Sequence, residues 1–103
     1  MFRCELRFDE DKVIKDGYFV ELMYQHMDYV FCEVKGLKKV AEGVYEDQDA
    51  NSSKITYEMG TIFWTNPVIV HYCNYLHVIA PEGDYGDCSY MLKDFRKYIP
   101  MYR

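Results

Sequence analysis

Residues 2 to 8 alternate, with Phe2, Cys4, Leu6 and Phe8 against Arg3, Glu5 and Arg7, which is the period of a strand buried on one face. The acidic run Asp9-Glu10-Asp11 closes this strand, and Asp16-Gly17 reads as a turn into a helix with one of the two near its N-cap. From Tyr18 to Lys35 the period changes. Phe19, Leu22, Met23, His26, Met27, Val30, Phe31 and Val34 recur at steps of three and four, which predicts a helix with one wide apolar stripe. Gly36 supplies the left-handed residue that closes helices. In this reading Leu22, Met23, Val30 and Phe31 are core residues.

Lys38 to Glu46, carrying Val40, Val44 and Tyr45, predicts a second strand, and Lys54 to Thr65 a third, the two forming a hairpin across the polar cluster Gln48 to Ser53. In the third, Ile55, Tyr57, Met59, Thr61 and Phe63 alternate with Thr56, Glu58, Gly60, Ile62 and Trp64, and because both series become apolar after Gly60 the second half is expected to be buried on both faces or else to begin a turn of helix. Asn66-Pro67 is an N-cap followed by proline at the first helical position, so a short helix runs from Pro67 to about Cys73. Asn74 to Pro81 then reads as a fourth strand, although one helix from Pro67 to Ile79 fits the spacing almost as well. Pro81 to Asp84 is a turn, Asp87 a cap, and Cys88 to Tyr98 a last helix with Met91, Leu92, Phe95 and Ile99 inward, stopped at Pro100. The predicted order is strand, helix, strand, strand, short helix, strand, helix. It specifies a single α+β domain over residues 1–103, a ferredoxin-like split βαβ sheet with an extra C-terminal helix.

Composition narrows the function. The 103 residues are half hydrophobic, which is enough for one core. Twelve basic against seventeen acidic residues leave a net charge of −5, which disfavours direct nucleic-acid binding and anionic membranes, since both need basic faces. No run is long and apolar enough for a membrane span, and Arg3 to Asp11 is too charged for a signal peptide, so the expected location is cytoplasmic. There Cys4, Cys32, Cys73 and Cys88 are expected as free thiols, and no C-x-x-C motif signals a redox or zinc site. No cofactor is implied.

At Asp16-Gly17-Tyr18, Lys35-Gly36-Leu37-Lys38-Lys39-Val40, Gly43-Val44-Tyr45 and Leu92-Lys93-Asp94-Phe95 the chain resembles a set of short uncharacterised proteins of Gram-positive bacteria and their mobile elements. In layout alone it is similar to virulence-associated protein D and the small CRISPR-associated nucleases of ferredoxin-like fold. That second resemblance implies a catalytic acid at the end of the first strand, where Asp9 stands.

Three groupings are candidates for chemistry. His71, Cys73 and His77 are the only clustered metal-type ligands; on a continuous strand they would share a face, and on one helix His71 and His77 would diverge. His26 lies on the apolar stripe of the long helix, where a hydrogen-bonded imidazole is the commoner outcome than a base. The eleven tyrosines are too many for one small core, and surplus tyrosine concentrates at interfaces. Tyr75-Leu76-His77-Val78-Ile79 is read as an uncharged edge strand open to pairing with another copy. The expected interface of a homodimer is therefore Tyr75 and His77 together with Tyr90 and Tyr98 of the last helix. These features favour a non-enzymatic interaction or regulatory accessory protein, with a homodimer or another protein as partner. The alternatives are a small metal-dependent nuclease using Asp9, and an acidic inhibitor of a nucleic-acid enzyme.

Overall fold

A computed structural model describes residues 1–48 and 52–99 of the chain, the side chains of residues 52–58 excepted. The alternating stretch at the start forms β1 (Phe2–Phe8), and its burial follows the alternation: Phe2, Cys4, Leu6 and Phe8 are covered while Arg3 and Arg7 face out. β1 is the middle of a five-stranded antiparallel sheet of order β2-β3-β1-β4-β5, with β2 at Lys38–Ala41, β3 at Val44–Asp47, β4 at Cys73–Ala80 and β5 at Gly83–Asp87. The chain is α+β. Strands adjacent in sequence form the two hairpins at the edges, and the longer connections each pass over an intervening strand.

Asp9 starts the first helix. Its carboxylate accepts the Lys12 N–H at 3.2 Å and so caps α1 (Glu10–Lys15), with Glu10 and Asp11 in the positive first turn and Lys15 in the last. The sequence reading has no helix here. Asp16 closes α1 instead of opening the next helix, and its carboxylate accepts the Tyr72 hydroxyl at 2.7 Å. α2 (Val20–Asp28) begins two residues later than expected and runs directly into a π-helical segment, Tyr29–Val34. That segment ends at Gly36, whose φ of 77° lets its N–H bond the Cys32 carbonyl while the Leu37 N–H reaches back to Phe31. Leu37 is thereby turned into the core.

The expected strand over 54–65 is overturned: residues Ser52–Thr65 are helix α3. Among its described side chains Met59, Ile62 and Phe63 are buried, an i, i+3, i+4 set, and the hairpin partner of β2 is the nearer β3 across Glu42-Gly43. The loop expected at 48–53 lies partly outside the described residues. Pro67 opens α4 (Pro67–Tyr72) as expected, and the chain then changes to strand at Cys73, which settles the choice between one helix and helix plus strand. α5 (Ser89–Tyr98) completes the fold.

One core joins the elements. Phe2, Cys4, Leu6 and Phe8 meet Val13 of α1, Met23, Tyr24 and Met27 of α2, Ile62 and Phe63 of α3, Ile69 and Val70 of α4 and Leu92 of α5. All described helices therefore lie on one side of the sheet. Polar ends that enter this layer find partners: Tyr24 Oη accepts the Phe8 N–H at 3.2 Å. Tyr45, fully buried with its ring stacked on Phe31, donates to Asp28 at 2.6 Å, and Asp28 also holds Lys39 at 2.7 Å. Burial, and then the Asp28 carboxylate, push the Tyr45 hydroxyl pKa up, so it stays a donor.

Candidate interaction surfaces

The expected metal ligands are separated by the sheet. Cys73 pairs with Phe8 and is buried in the core, where burial raises its thiol pKa well above the ordinary range. His77 pairs with Glu5 and lies on the opposite face, its Nε2 donating to Asp84 at 2.7 Å. His71, on α4, places Nε2 2.8 Å from the Ile99 carbonyl; a carbonyl only accepts, so this nitrogen carries the proton. Among the described residues no group of three or more His, Cys, Asp or Glu side chains converges in a way that could hold a metal ion. Asp9, the acid implied by the nuclease resemblance, is occupied as the α1 cap.

The expected homodimer edge is also corrected. β4 is an interior strand, hydrogen-bonded to β1 on one side and to β5 on the other, so it offers no free ladder to a second copy. β5 is absent from the sequence reading because Gly83-Asp84-Tyr85-Gly86-Asp87 has no alternation to reveal it; the turn at Pro81-Glu82 brings it back onto β4, where Ala80 pairs with Gly83. Tyr75 and His77 are half-buried on the helix-free face of the sheet, whereas Tyr90 and Tyr98 are exposed on α5, in the helix layer.

The helix-free face carries Arg3, Glu5 and Arg7 of β1, Glu46 of β3, Tyr75, His77 and Ile79 of β4 and Asp87 of β5. Opposite charges alternate across it, with Arg3 3.5 Å from Glu46 and Arg7 3.1 Å from Glu5. Such a face has neither the basic stripe that follows a phosphate backbone nor the continuous acidity that would imitate one.

On the helix side a cleft of about 360 Å³ opens between α3 and α5. Phe63, Met91 and Phe95 form its walls, Phe2 and Leu76 its floor, and Glu82 and Tyr85 lie at its mouth, the Tyr85 hydroxyl donating to Glu82 at 2.5 Å. The one thiol that lines it, Cys88, is buried, which raises its pKa. Among the described residues this lining suits an apolar group and offers no activated nucleophile.

The largest departure from the expected core is on α2. Its apolar arc is wider than the sheet it covers. Met23, Met27, Val30 and Phe31 are buried as expected, but Leu22 is 57% exposed, beside Phe19 at 73%, Tyr29 at 59% and Val34 at 56%. Leu22, His26 and Tyr29 follow at i, i+4 and i+7, one face of an α-helix. Val34 stands five residues beyond Tyr29, one turn further where the hydrogen bonds span five residues, as the π-helical Lys35 N–H to Val30 carbonyl bond at 3.2 Å does. The π segment therefore keeps the outer stripe in register, and the stripe is Phe19, Leu22, His26, Tyr29 and Val34. Phe19, Leu22, His26 and Val34 are legible in the sequence as apolar-stripe members, and Tyr29 is not among them; what is also not legible is that the sheet covers only half the arc.

Comparison with protein-family models, with curated proteins and with solved structures gave no match to this chain. Among the described residues no helix is long and apolar enough to cross a membrane.

Proposed function

We propose that this chain is a non-enzymatic interaction protein, an accessory or regulatory factor that works in the cytoplasm by docking on other protein surface. The observation that carries this reading is the outer stripe of α2. Monomeric proteins expose single apolar side chains freely, but an aligned row of four large ones along one helix is the kind of surface that marks a protein contact. The balanced charge of the helix-free face and the role of Asp9 as a helix cap favour this reading over the nuclease and the nucleic-acid mimic. The strand order β2-β3-β1-β4, with helical connections from β1 to β2 and from β3 to β4, supports classing the fold as ferredoxin-like, with β5 and α5 appended.

The test is affinity capture from the native cell with the wild-type chain and with Leu22→Asp. Leu22 is exposed, so this change leaves the core intact. A partner, either this chain or another protein, that wild type retains and Leu22→Asp loses is the expected result. Identical capture by both chains would remove the stripe from the function.

A further inference from the structure

We infer that the partner for this stripe is a second copy of the chain, with the two α2 helices packed antiparallel about a two-fold axis that passes beside His26. The inference rests on the interaction reading above and names its partner.

A two-fold interface uses the same patch on both copies, so the patch must complement itself. The stripe does so in one orientation. It reads apolar, apolar, histidine, apolar, apolar, with His26 midway between Phe19 and Val34 and between Leu22 and Tyr29. Reversing one copy against the other therefore sets Phe19 opposite the partner's Val34, Leu22 opposite the partner's Tyr29, and His26 opposite its own copy. The stripe itself contains no Asp, Glu, Lys or Arg, so it can be desolvated without burying a fixed charge.

The helix ends favour the same orientation. Phe19 stands at the N-cap of α2 and supplies no side-chain hydrogen bond, so the first amides of this helix have no side-chain cap. In the antiparallel arrangement Glu33, exposed next to Val34, arrives at that uncapped, positive end of the partner's α2. Glu21, exposed in that first turn, stands within about two residues of the same position, so one like-charge approach offsets part of this gain. A parallel arrangement would set Glu33 against Glu33 and helix end against like helix end.

The area is sufficient for a modest dimer. Aromatic side chains bury roughly 150 to 250 Å² each when fully covered, and Leu and Val less, so these four offer at most on the order of 450 Å² per copy, about half of the roughly 800 Å² of a standard interface and in the range of a weak dimer.

Cysteine cross-linking reads the register. Helices packed with axes about 8 to 10 Å apart bring facing Cα atoms to roughly 4 to 6 Å, within the span of a disulfide. In a Cys32→Ser background, mild oxidation of His26→Cys is expected to give a covalent dimer. Leu22→Cys and Tyr29→Cys chains are expected to cross-link when mixed and not when oxidised separately. Light scattering at about 100 μM should give the mass of two 12.4 kDa chains for wild type and one for Leu22→Asp. A dimer that Leu22→Asp leaves intact, or cross-links from 22 to 22 and 29 to 29, would overturn the arrangement. A monomeric wild type without a cross-link at 26 would overturn the self-partner, and if Leu22→Asp still lost a different captured protein, the interaction reading would stand without it.

Discussion

Gly43 and Leu6 meet backbone to backbone: the Leu6 N–H donates to the Gly43 carbonyl at 2.8 Å, and a Cβ on Gly43 would collide with the Leu6 carbonyl oxygen. Gly43 turns the β2–β3 hairpin with φ at 73°, in the region that favours glycine. Here the same residue needs both the left-handed conformation and the missing side chain, because the turn is pressed against the central strand.

Gly43→Ala is therefore expected to destabilise the chain by more than the roughly 1 kcal/mol that a left-handed alanine costs by itself, since β1 or the hairpin must also shift. Gly36→Ala is the control. It shares the positive φ, but nothing lies within 4 Å of its added Cβ, so only the conformational cost applies. Urea midpoints that fall equally for both variants would show that the contact with Leu6 does not constrain the fold.

Met27 and Leu22 divide the apolar arc of α2. Met27 is fully buried, and Met27→Ala is expected to cost about 2 to 5 kcal/mol through lost transfer energy and the cavity left behind. Leu22→Ala, at an exposed position, is expected to cost less than about 0.5 kcal/mol in the dissociated chain. Chemical unfolding of both at concentrations low enough to prevent association separates the two roles. Equal losses would mean that Leu22 is covered within the monomer.

The contrast between these residues shows where the sequence is readable. Spacing identifies which side chains share a helix face, because 3.6 residues per turn is a local property. It does not report how wide a surface awaits that face, which depends on the sheet and on α3 and α5, far away in the chain. The same limit explains α3. Ile55, Thr56, Thr61, Ile62 and Thr65 give residues 54–65 a strand-like composition, yet Met59, Ile62 and Phe63 already follow the helical i, i+3, i+4 pattern, and tertiary packing selects it. For α1 the signal was present in Asp9 followed by Glu10 and Asp11, a cap with an acidic first turn, although only Val13 faces inward to mark a period. β1, the start of α4 and α5 were legible because alternation, a proline at the first helical position or an amphipathic stripe each act locally, whereas β4 was left open between strand and helix because its burial does not alternate.

Asp9 gives a test that separates cap from catalyst. Asparagine caps a helix about as well as aspartate, whereas alanine forfeits the bond to the Lys12 N–H. Asp9→Ala is expected to lower stability by about 1 kcal/mol, and Asp9→Asn by much less. With Mg²⁺ or Mn²⁺, the wild-type protein is expected to leave RNA and single-stranded DNA intact. Cleavage that vanishes in Asp9→Asn, with stability retained, would reinstate the nuclease.

Acid should loosen β5 before it unfolds the core. Asp84 accepts the Gly86 N–H at 2.7 Å and the His77 Nε2–H, and these bonds hold its pKa below the ordinary 3.8. Asp87 is held low by the Ser89 hydroxyl and then by the Ser89 N–H at 2.9 Å. The Ser89 hydroxyl oxygen in turn accepts the Leu76 N–H at 3.1 Å, so Asp87 braces the junction of β5 and α5 against β4. Both carboxylates bind protons less readily folded than unfolded; their contribution is complete above the ordinary carboxylate pKa and disappears as pH falls through the lowered folded values. Carboxyl-resolved NMR titration is expected to give midpoints below 3.8 for both residues, with the Gly86 and Ser89 amide signals moving over the same range while core signals from Leu6 and Met27 stay fixed. Midpoints at or above 3.8, or core and β5 signals moving together, would show that these bonds do not hold β5 to the sheet.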